Sequence, residues 1–144
     1  MRPGEQQIEQ FLWAVDESFP IPLSHKQDLH LFAKKLFEKA TLCTEIEQGR
    51  ILAMVAGYTE NVTDDLAYIS VVATLPEARG RRLASALIER FIAIARERGL
   101  RAVHLYTVRT NTSAMRMYQR LGFSEWVKVD EPRPEDVHLI YRLK

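Results

Sequence analysis

Apolar residues recur at helical spacing near the start of the chain. Ile8, Phe11, Leu12 and Val15 predict a helix over residues 5–17. Phe19-Pro20-Ile21-Pro22-Leu23 interrupts it, because each proline disfavours α geometry in the residue before it. Ser24-His25-Lys26-Gln27 has the form of a capping box. A second helix is predicted from there to about Ala40, with Leu29, Phe32, Leu36 and Phe37 on its buried side. The period then changes. Residues 41–47 and 51–59 read as strands flanking a turn at Gln48-Gly49-Arg50, and residues 60–65 form a polar loop. Residues 66–75 are nearly continuously apolar, which predicts a strand covered on both faces. Leu83, Leu87, Phe91, Ile94 and Ala95 make an apolar stripe along a helix over residues 80–98, with Gly99 suited to its C-terminal cap. Another strand is predicted over residues 102–108. A short helix over about 112–121 is stopped by Gly122, and residues 123–129 and 137–143 read as a closing antiparallel pair.

The order is helix, helix, three strands, helix, strand, helix, two strands. It predicts a mixed α/β fold with one parallel step across the 80–98 helix. With 144 residues and no repeat or linker-like stretch, the chain reads as one domain over residues 1–144. A hydrophobic fraction of 47% and a charged fraction of 27% place it among globular chains. Its one cysteine, Cys43, lies in a strand-like apolar stretch and reads as a core thiol. No basic segment leads into an apolar run at the N-terminus, and no apolar stretch approaches the roughly 20 residues that span a bilayer. The expected location is cytoplasmic, with no membrane partner.

Charge changes the picture. From Pro76 to Arg120 there are ten arginines against three glutamates, a local net charge of +7 in a chain of net charge +1. Such a concentration suggests a polyanionic partner. Arg90, Arg96, Arg98 and Arg101 fit a solvated helix face. Arg79, Arg81 and Arg82 instead cluster where a strand passes into the longest helix. The first N–H groups of a helix lack intrahelical acceptors, and the helix dipole adds partial positive charge there. Gly80, Ala84 and Ser85 supply small residues at that point, so the segment could hold a phosphate on the helix N-terminus or be an ordinary turn with surface arginines. There is no GxxxxGK[ST] and no GxGxxG, which argues against P-loop and dinucleotide sites.

Two segments about thirty residues apart carry a resemblance. Val72-Ala73-Thr74-Leu75-Pro76-Glu77-Ala78-Arg79-Gly80-Arg81-Arg82-Leu83-Ala84 resembles the acetyl-CoA-binding signature of the GNAT family of N-acetyltransferases. That signature reads R/Q-x-x-G-x-G/A, and this chain meets it at Arg79 and Ala84 but has Arg82 at the middle glycine. Asn111, Ala114, Tyr118, Gly122 and Phe123 fit the family's N-x-x-A-x-x-x-Y-x-x-x-G-F pattern. The resemblance spans about Ile51 to Phe123; the family's usual first strand is not evident in the first forty residues.

The resemblance implies a GNAT-type fold, a mostly antiparallel sheet with one splayed parallel pair flanked by helices. It implies acetyl transfer from acetyl-CoA to a primary amine by direct attack. The backbone of Val72, Ala73 and Thr74 would pair with the pantetheine arm, and an N–H near Val72 would polarise the thioester carbonyl. The N–H groups of Arg79, Gly80, Arg81, Arg82, Leu83, Ala84 and Ser85 would hold the pyrophosphate. Asn111 would help fix the pantetheine, or could be only the N-cap of its helix. Tyr118 would give a proton to the departing thiolate; its other reading is core packing.

The acceptor amine must lose a proton before attack. Glu60 is the carboxylate chosen as the base, with Asp64, Asp65, Glu17 and Glu125 as alternatives and Tyr58 and Tyr68 as positioners. His25, His30, His104 and His138 have no metal-ligand spacing, so no metal is expected. Two other readings remain: a silent acyl-CoA sensor or scaffold, kept open by Arg82, and nucleic-acid binding through the +7 segment, which lacks interleaved aromatics or a recognisable module. Trp13, Phe19, Ile21 and Leu23 could form an apolar lip for the acceptor or belong to the core. Amino sugars, amino acids, polyamines, peptide N-termini and other exposed protein amines are all open as acceptors, and a homodimer is the commonest closed assembly.

Overall fold

In the computed structural model, which describes residues 2–127 and 136–144, helix α1 spans Glu5–Val15 and buries Ile8, Phe11, Leu12 and Val15, as their spacing predicts. It ends two residues early, where Asp16–Ser18 tighten into a 3-10 turn. Asp16 is the reason: its carboxylate accepts from the Ser24 backbone N–H at 2.8 Å and from the Ser24 hydroxyl at 2.6 Å. Ser24 is thereby withdrawn from the capping box expected of it. Helix α2 spans Leu29–Lys39 and is capped by Asp28, whose side chain accepts from the Leu31 N–H at 3.1 Å. It buries Leu29, Phe32, Ala33 and Leu36, whereas Phe37 is 37% exposed, with the Arg2 guanidinium 5.5 Å above its ring.

Strands β1 (Thr41–Glu47) and β2 (Arg50–Tyr58) form an antiparallel hairpin. Gln48 and Gly49 both adopt positive φ, as a two-residue turn matched to strand twist requires. β3 (Leu66–Thr74) runs antiparallel to β2, and α3 (Leu83–Glu97) crosses over to β4 (Ala102–Thr107). α4 spans Thr112–Leu121 and ends at Gly122 with φ 108, as its sequence predicts. β5 is only Ser124–Glu125, and β6 is Val137–Arg142. Of the strand expected over residues 123–129, positions 128 and 129 lie outside the described residues. Among the described residues the sheet order is β1-β2-β3-β4-β6-β5, with β3 and β4 the one parallel pair.

Two apolar clusters cover the sheet, one on each face. α3 and α4 pack over one face with Val55, Ile69, Val103 and Leu105; α1 and α2 pack over the other with Met54, Ala56 and Val71. The strand buried on both faces is therefore β2, where Ile51 to Gly57 are all buried. The expectation that residues 66–75 would be doubly covered is corrected: Leu66, Tyr68, Ser70 and Val72 are only half-buried. The reason is topological, because β3 borders an opening in the sheet.

β3 and β4 pair only at Leu66↔Ala102, Ala67↔Val103 and Tyr68↔His104. Beyond Tyr68 the two strands part. The β2–β3 register slips at the same level, from Gly57↔Ile69 to Ala56↔Val71, so Ser70 is an extra residue. This bulge reverses the alternation of β3: Ala67 and Ile69 lie in the α3-side cluster before it, and Val72 packs against that cluster after it. Gly57 makes the bulge possible. A Cβ there would stand 2.2 Å from the Tyr68 carbonyl oxygen and 2.9 Å from Phe91.

Candidate active site

The strand expected to lead straight into a helix at Gly80 instead passes through a loop. Pro76–Ala78 form a 3-10 turn, Gly80 has φ 89, and Arg82 sits at the N-cap of α3 with φ 58 and ψ 29. Residues 80–82 are thus loop, not helix. The extended Arg79 backbone and the left-handed Gly80 and Arg82 turn the chain into the helix start. The Arg79 N–H donates to the Pro76 carbonyl at 3.4 Å, and the Ala86 N–H donates to Arg82 at 3.2 Å. Among the described residues, the backbone N–H groups from Gly80 to Ser85 have no backbone acceptor. Nothing lies within 4 Å of where a Gly80 Cβ would stand, so the loop is open beside that residue. Six consecutive donors at the positive end of a 15-residue helix make a cradle for an anion.

The loop arginines are exposed. Arg79 donates to Ser18 Oγ at 2.9 Å, Arg81 pairs with Glu47 at 3.2 Å, and Arg50 reaches back to Glu77 at 2.9 Å. The loop is thereby tied to the start of the chain and to the β1–β2 hairpin. Arg82, which replaces the glycine of the resembled signature, takes up the left-handed conformation that glycine adopts without strain.

From this loop, β3 leads back to the point where β4 leaves it. Among the described residues, the edge of β3 from Ile69 to Thr74 has no strand partner on the β4 side, so Val72, Ala73 and Thr74 line a slot. Val72, Leu83, Ala114 and Tyr118 all belong to the cluster between α3, α4 and the sheet, so both sequence motifs meet on one side of the slot. Asn111 is the N-cap of α4, its Oδ1 accepting from the Ala114 N–H at 3.3 Å. Tyr118 lies seven residues on, two turns along the same helix face. Its ring is buried against Phe123, with centroids 5.7 Å apart, and burial pushes its phenol above the usual tyrosine range. Burial keeps the proton on the phenol and disfavours the phenolate that giving it up would leave.

Glu60 lies two residues beyond β2, with its carboxylate 3.1 Å from Arg98 at the C-terminal end of α3. Asp64 and Asp65 occupy the exposed turn before β3, and Glu125 is held by Arg109 at 2.9 Å. Glu17 lies in the exposed turn after α1. Trp13 and Ile21 are exposed, while Phe19 and Leu23 pack against the α1–α2 cluster. Cys43 is buried, and its thiol is pushed up by burial, as a core residue. Among the described residues no group of histidine, cysteine and carboxylate side chains could hold a metal ion, and no helix is long and apolar enough to cross a membrane.

Sequence reasoning named Tyr58 and Tyr68 as positioners but missed His104, Tyr106 and His138, which continue their row of polar aromatic side chains on the face away from α3. Tyr58 pairs with Tyr68, Tyr68 with His104, and Tyr106 with His138 in the sheet register. His104 Nδ1 and His138 Nε2 are 2.8 Å apart. The signal was the alternation of Val103, His104, Leu105 and Tyr106, which only the pairing with β6 completes.

The sequence profile of the acetyltransferase (GNAT) family matches residues 8–123. A mycothiol acetyltransferase of Arthrobacter sp. (strain FB24) is 45% identical over 58 residues, 40% of this chain and 18% of that protein. Across the curated relatives the chain spans less than a third of their length. Among solved structures, a GNAT-family acetyltransferase from Staphylococcus aureus Mu50 superposes with a TM-score of 0.75 at 15% identity, over 97% of this chain and 93% of that one. The yncA protein of Salmonella typhimurium, solved with acetyl-CoA, gives 0.69 at 14% identity, over 100% and 92%. These likenesses show a shared fold, and the profile match covers both motifs: the chain belongs to the GNAT family of acetyltransferases.

Proposed function

We propose that this acetyltransferase moves the acetyl group of acetyl-CoA directly onto a primary amine. The observation that carries the reading is the run of N–H donors without backbone acceptors from Gly80 to Ser85, which follows β3 where it runs unpaired with β4. The pyrophosphate of the donor fits the donors, and its pantetheine arm fits the unpaired edge of β3 at Val72, Ala73 and Thr74. An amide near Val72 then faces the thioester carbonyl and stabilises the oxyanion formed on attack. The buried phenol of Tyr118 is protonated throughout the working pH range and supplies the proton taken by the leaving thiolate. Asn111 acts first through its helix, fixing the start of α4 so that Tyr118 is presented.

Arg82 is compatible with donor binding, which the enzyme and a silent binding module share. The substituted position keeps the glycine-like backbone, so the loop's shape is retained and a cation is added beside the anion site. Thiol release from acetyl-CoA, followed with a panel of amino sugars, amino acids, polyamines and peptide N-termini, tests the reading. Release that depends on one amine class supports it. Tight acetyl-CoA binding with no release for any class favours the binding module.

A further inference from the structure

We infer that the outer edge of β1 pairs with the same edge of a second copy of this chain, joining two six-stranded sheets into one. This concerns assembly and does not rest on the acetyl-transfer reading. β1 ends the sheet order, and among the described residues its one strand partner is β2. Edge strands are commonly kept from pairing by brevity, lysine, proline or a bulge. β1 has seven residues, Thr41-Leu42-Cys43-Thr44-Glu45-Ile46-Glu47, with neither lysine nor proline. Its irregularity with β2 falls on the other strand. Glu45↔Ala53 is followed by Ile46↔Ile51, so Leu52 is the extra residue and β1 stays regular. Leu42 and Ile46 accordingly pack on the α1–α2 cluster, and Cys43 lies in the α3-side cluster.

One hydrogen bond fixes which backbone groups of β1 point outward. The Leu75 N–H donates to the Leu52 carbonyl at 2.8 Å, so that carbonyl faces β3. Across the trans peptide, the Ala53 N–H points the opposite way, toward β1. Alternation along the strand then aims Ala53, Val55 and Gly57 at Glu45, Cys43 and Thr41. Leu42, Thr44 and Ile46 are left with their N–H and C=O groups directed outward. All three are half-buried, and among the described residues none makes a backbone hydrogen bond outside the β1–β2 ladder.

A two-fold axis through Thr44 makes this edge complementary to itself. Thr44 meets Thr44 of the second copy, and Leu42 meets Ile46 of the second copy, each pair exchanging N–H and C=O groups. Their side chains all lie on the α1–α2 side, leucine against isoleucine and threonine against threonine. On the α3 side, Glu45 comes opposite Cys43 of the second copy, about 5 Å away at Cβ. Arg90 of α3 stands near that cysteine: burial pushes the Cys43 thiol up, and the Arg90 charge draws it down. Arg90 is exposed and Glu45 half-buried, and among the described residues neither is in an ion pair. Each Glu45 is thereby brought to Arg90 of the other copy, once on either side of the axis. The 3.2 Å contact of Glu47 with Arg81 shows that a carboxylate on this side of β1 reaches the arginines around α3. This charge complementarity, with a strand register that matches itself, selects a second copy over an unrelated strand.

Sedimentation of the full chain from micromolar to millimolar concentration, without donor or acceptor, tests the proposal. The wild type should pass reversibly from monomer to dimer. Glu45→Arg sets arginine against Arg90 of an identical copy, and Arg90→Glu sets glutamate against Glu45. Each alone should weaken the dimer about tenfold or more. Mixed one to one, the two variants should dimerise with each other near wild-type strength, because every contact again joins opposite charges. Neither residue lies in the cradle or slot, so acetyl-CoA affinity should be unchanged. Amide hydrogen exchange reads the register: the Leu42, Thr44 and Ile46 amides should slow as concentration rises, and those of Cys43 and Glu45, bonded to β2, should not change. A wild type that stays monomeric overturns the proposal. So does a dimer indifferent to both variants, a mixture that fails to pair, or a dimer in which the Leu42, Thr44 and Ile46 amides exchange as in the monomer.

Discussion

Arg82 shows how one residue can depart from a pattern and still preserve its geometry. Its left-handed backbone costs about 1 kcal/mol relative to glycine, and it keeps the loop shape that presents the Gly80–Ser85 amides. Arg82→Gly should raise stability by about 1 kcal/mol in thermal unfolding and weaken acetyl-CoA binding severalfold by calorimetry, because the strain goes together with a cation. Arg82→Ala should weaken binding similarly without the gain in stability. Tyr118 carries the second residue-level prediction. Because burial raises its pKa, the phenol stays protonated through neutral and mildly alkaline pH. Tyr118→Phe should therefore lower turnover about a hundredfold at every pH in that range and leave acetyl-CoA affinity unchanged. Equal losses in turnover and affinity would reduce Tyr118 to packing. Asn111, Tyr118 and the loop arginines were legible in the sequence because their chemistry is tied to local spacing. The His104–His138 pair was not, since the two residues are 34 positions apart and meet only through strand register.

At the level of elements, the bulge at Ser70 and the glycine opposite it set the slot. Gly57→Ala should destabilise the protein by about 3 kcal/mol, since the new methyl would meet backbone at 2.2 Å. Chemical denaturation of the variant checks this, and a loss near zero would mean that the bulge yields easily. The turn between α1 and α2 depends on Asp16, whose carboxyl is held below the usual range chiefly by the Ser24 hydroxyl. A depressed folded pKa contributes stability above the ordinary carboxylate pKa, and this is lost as pH falls through the folded value. Asp16→Asn should therefore unfold more readily than the wild type at neutral pH, with the difference shrinking below about pH 4. Helical periods placed α1, α2 and α4 to within a few residues. The misreadings came where a tertiary partner overrode a local signal: Asp16 took Ser24 from its cap, and the opening beside β3 uncovered a strand whose composition reads as core.

Across the whole molecule, the two apolar clusters hold a six-stranded sheet whose single parallel pair opens after three residue pairs. Order of elements predicted that parallel step, and the GNAT resemblance implied its splay. Composition alone could not reveal the opening, because a gap in a sheet is a matter of pairing rather than of residue type. The +7 segment now has a physical use as well. Among the described residues, Arg81, Arg98 and Arg109 of its ten arginines are in ion pairs, and Arg79 and Arg82 stand at the mouth of the anion cradle. The central claim is that this cradle and slot hold acetyl-CoA. Calorimetric titration with acetyl-CoA, with its analogue lacking the 3′-phosphate and with ATP tests it most directly. The account predicts micromolar binding of acetyl-CoA, weaker binding without the 3′-phosphate and none for ATP. Absence of acetyl-CoA binding, or equal binding of ATP, would contradict it.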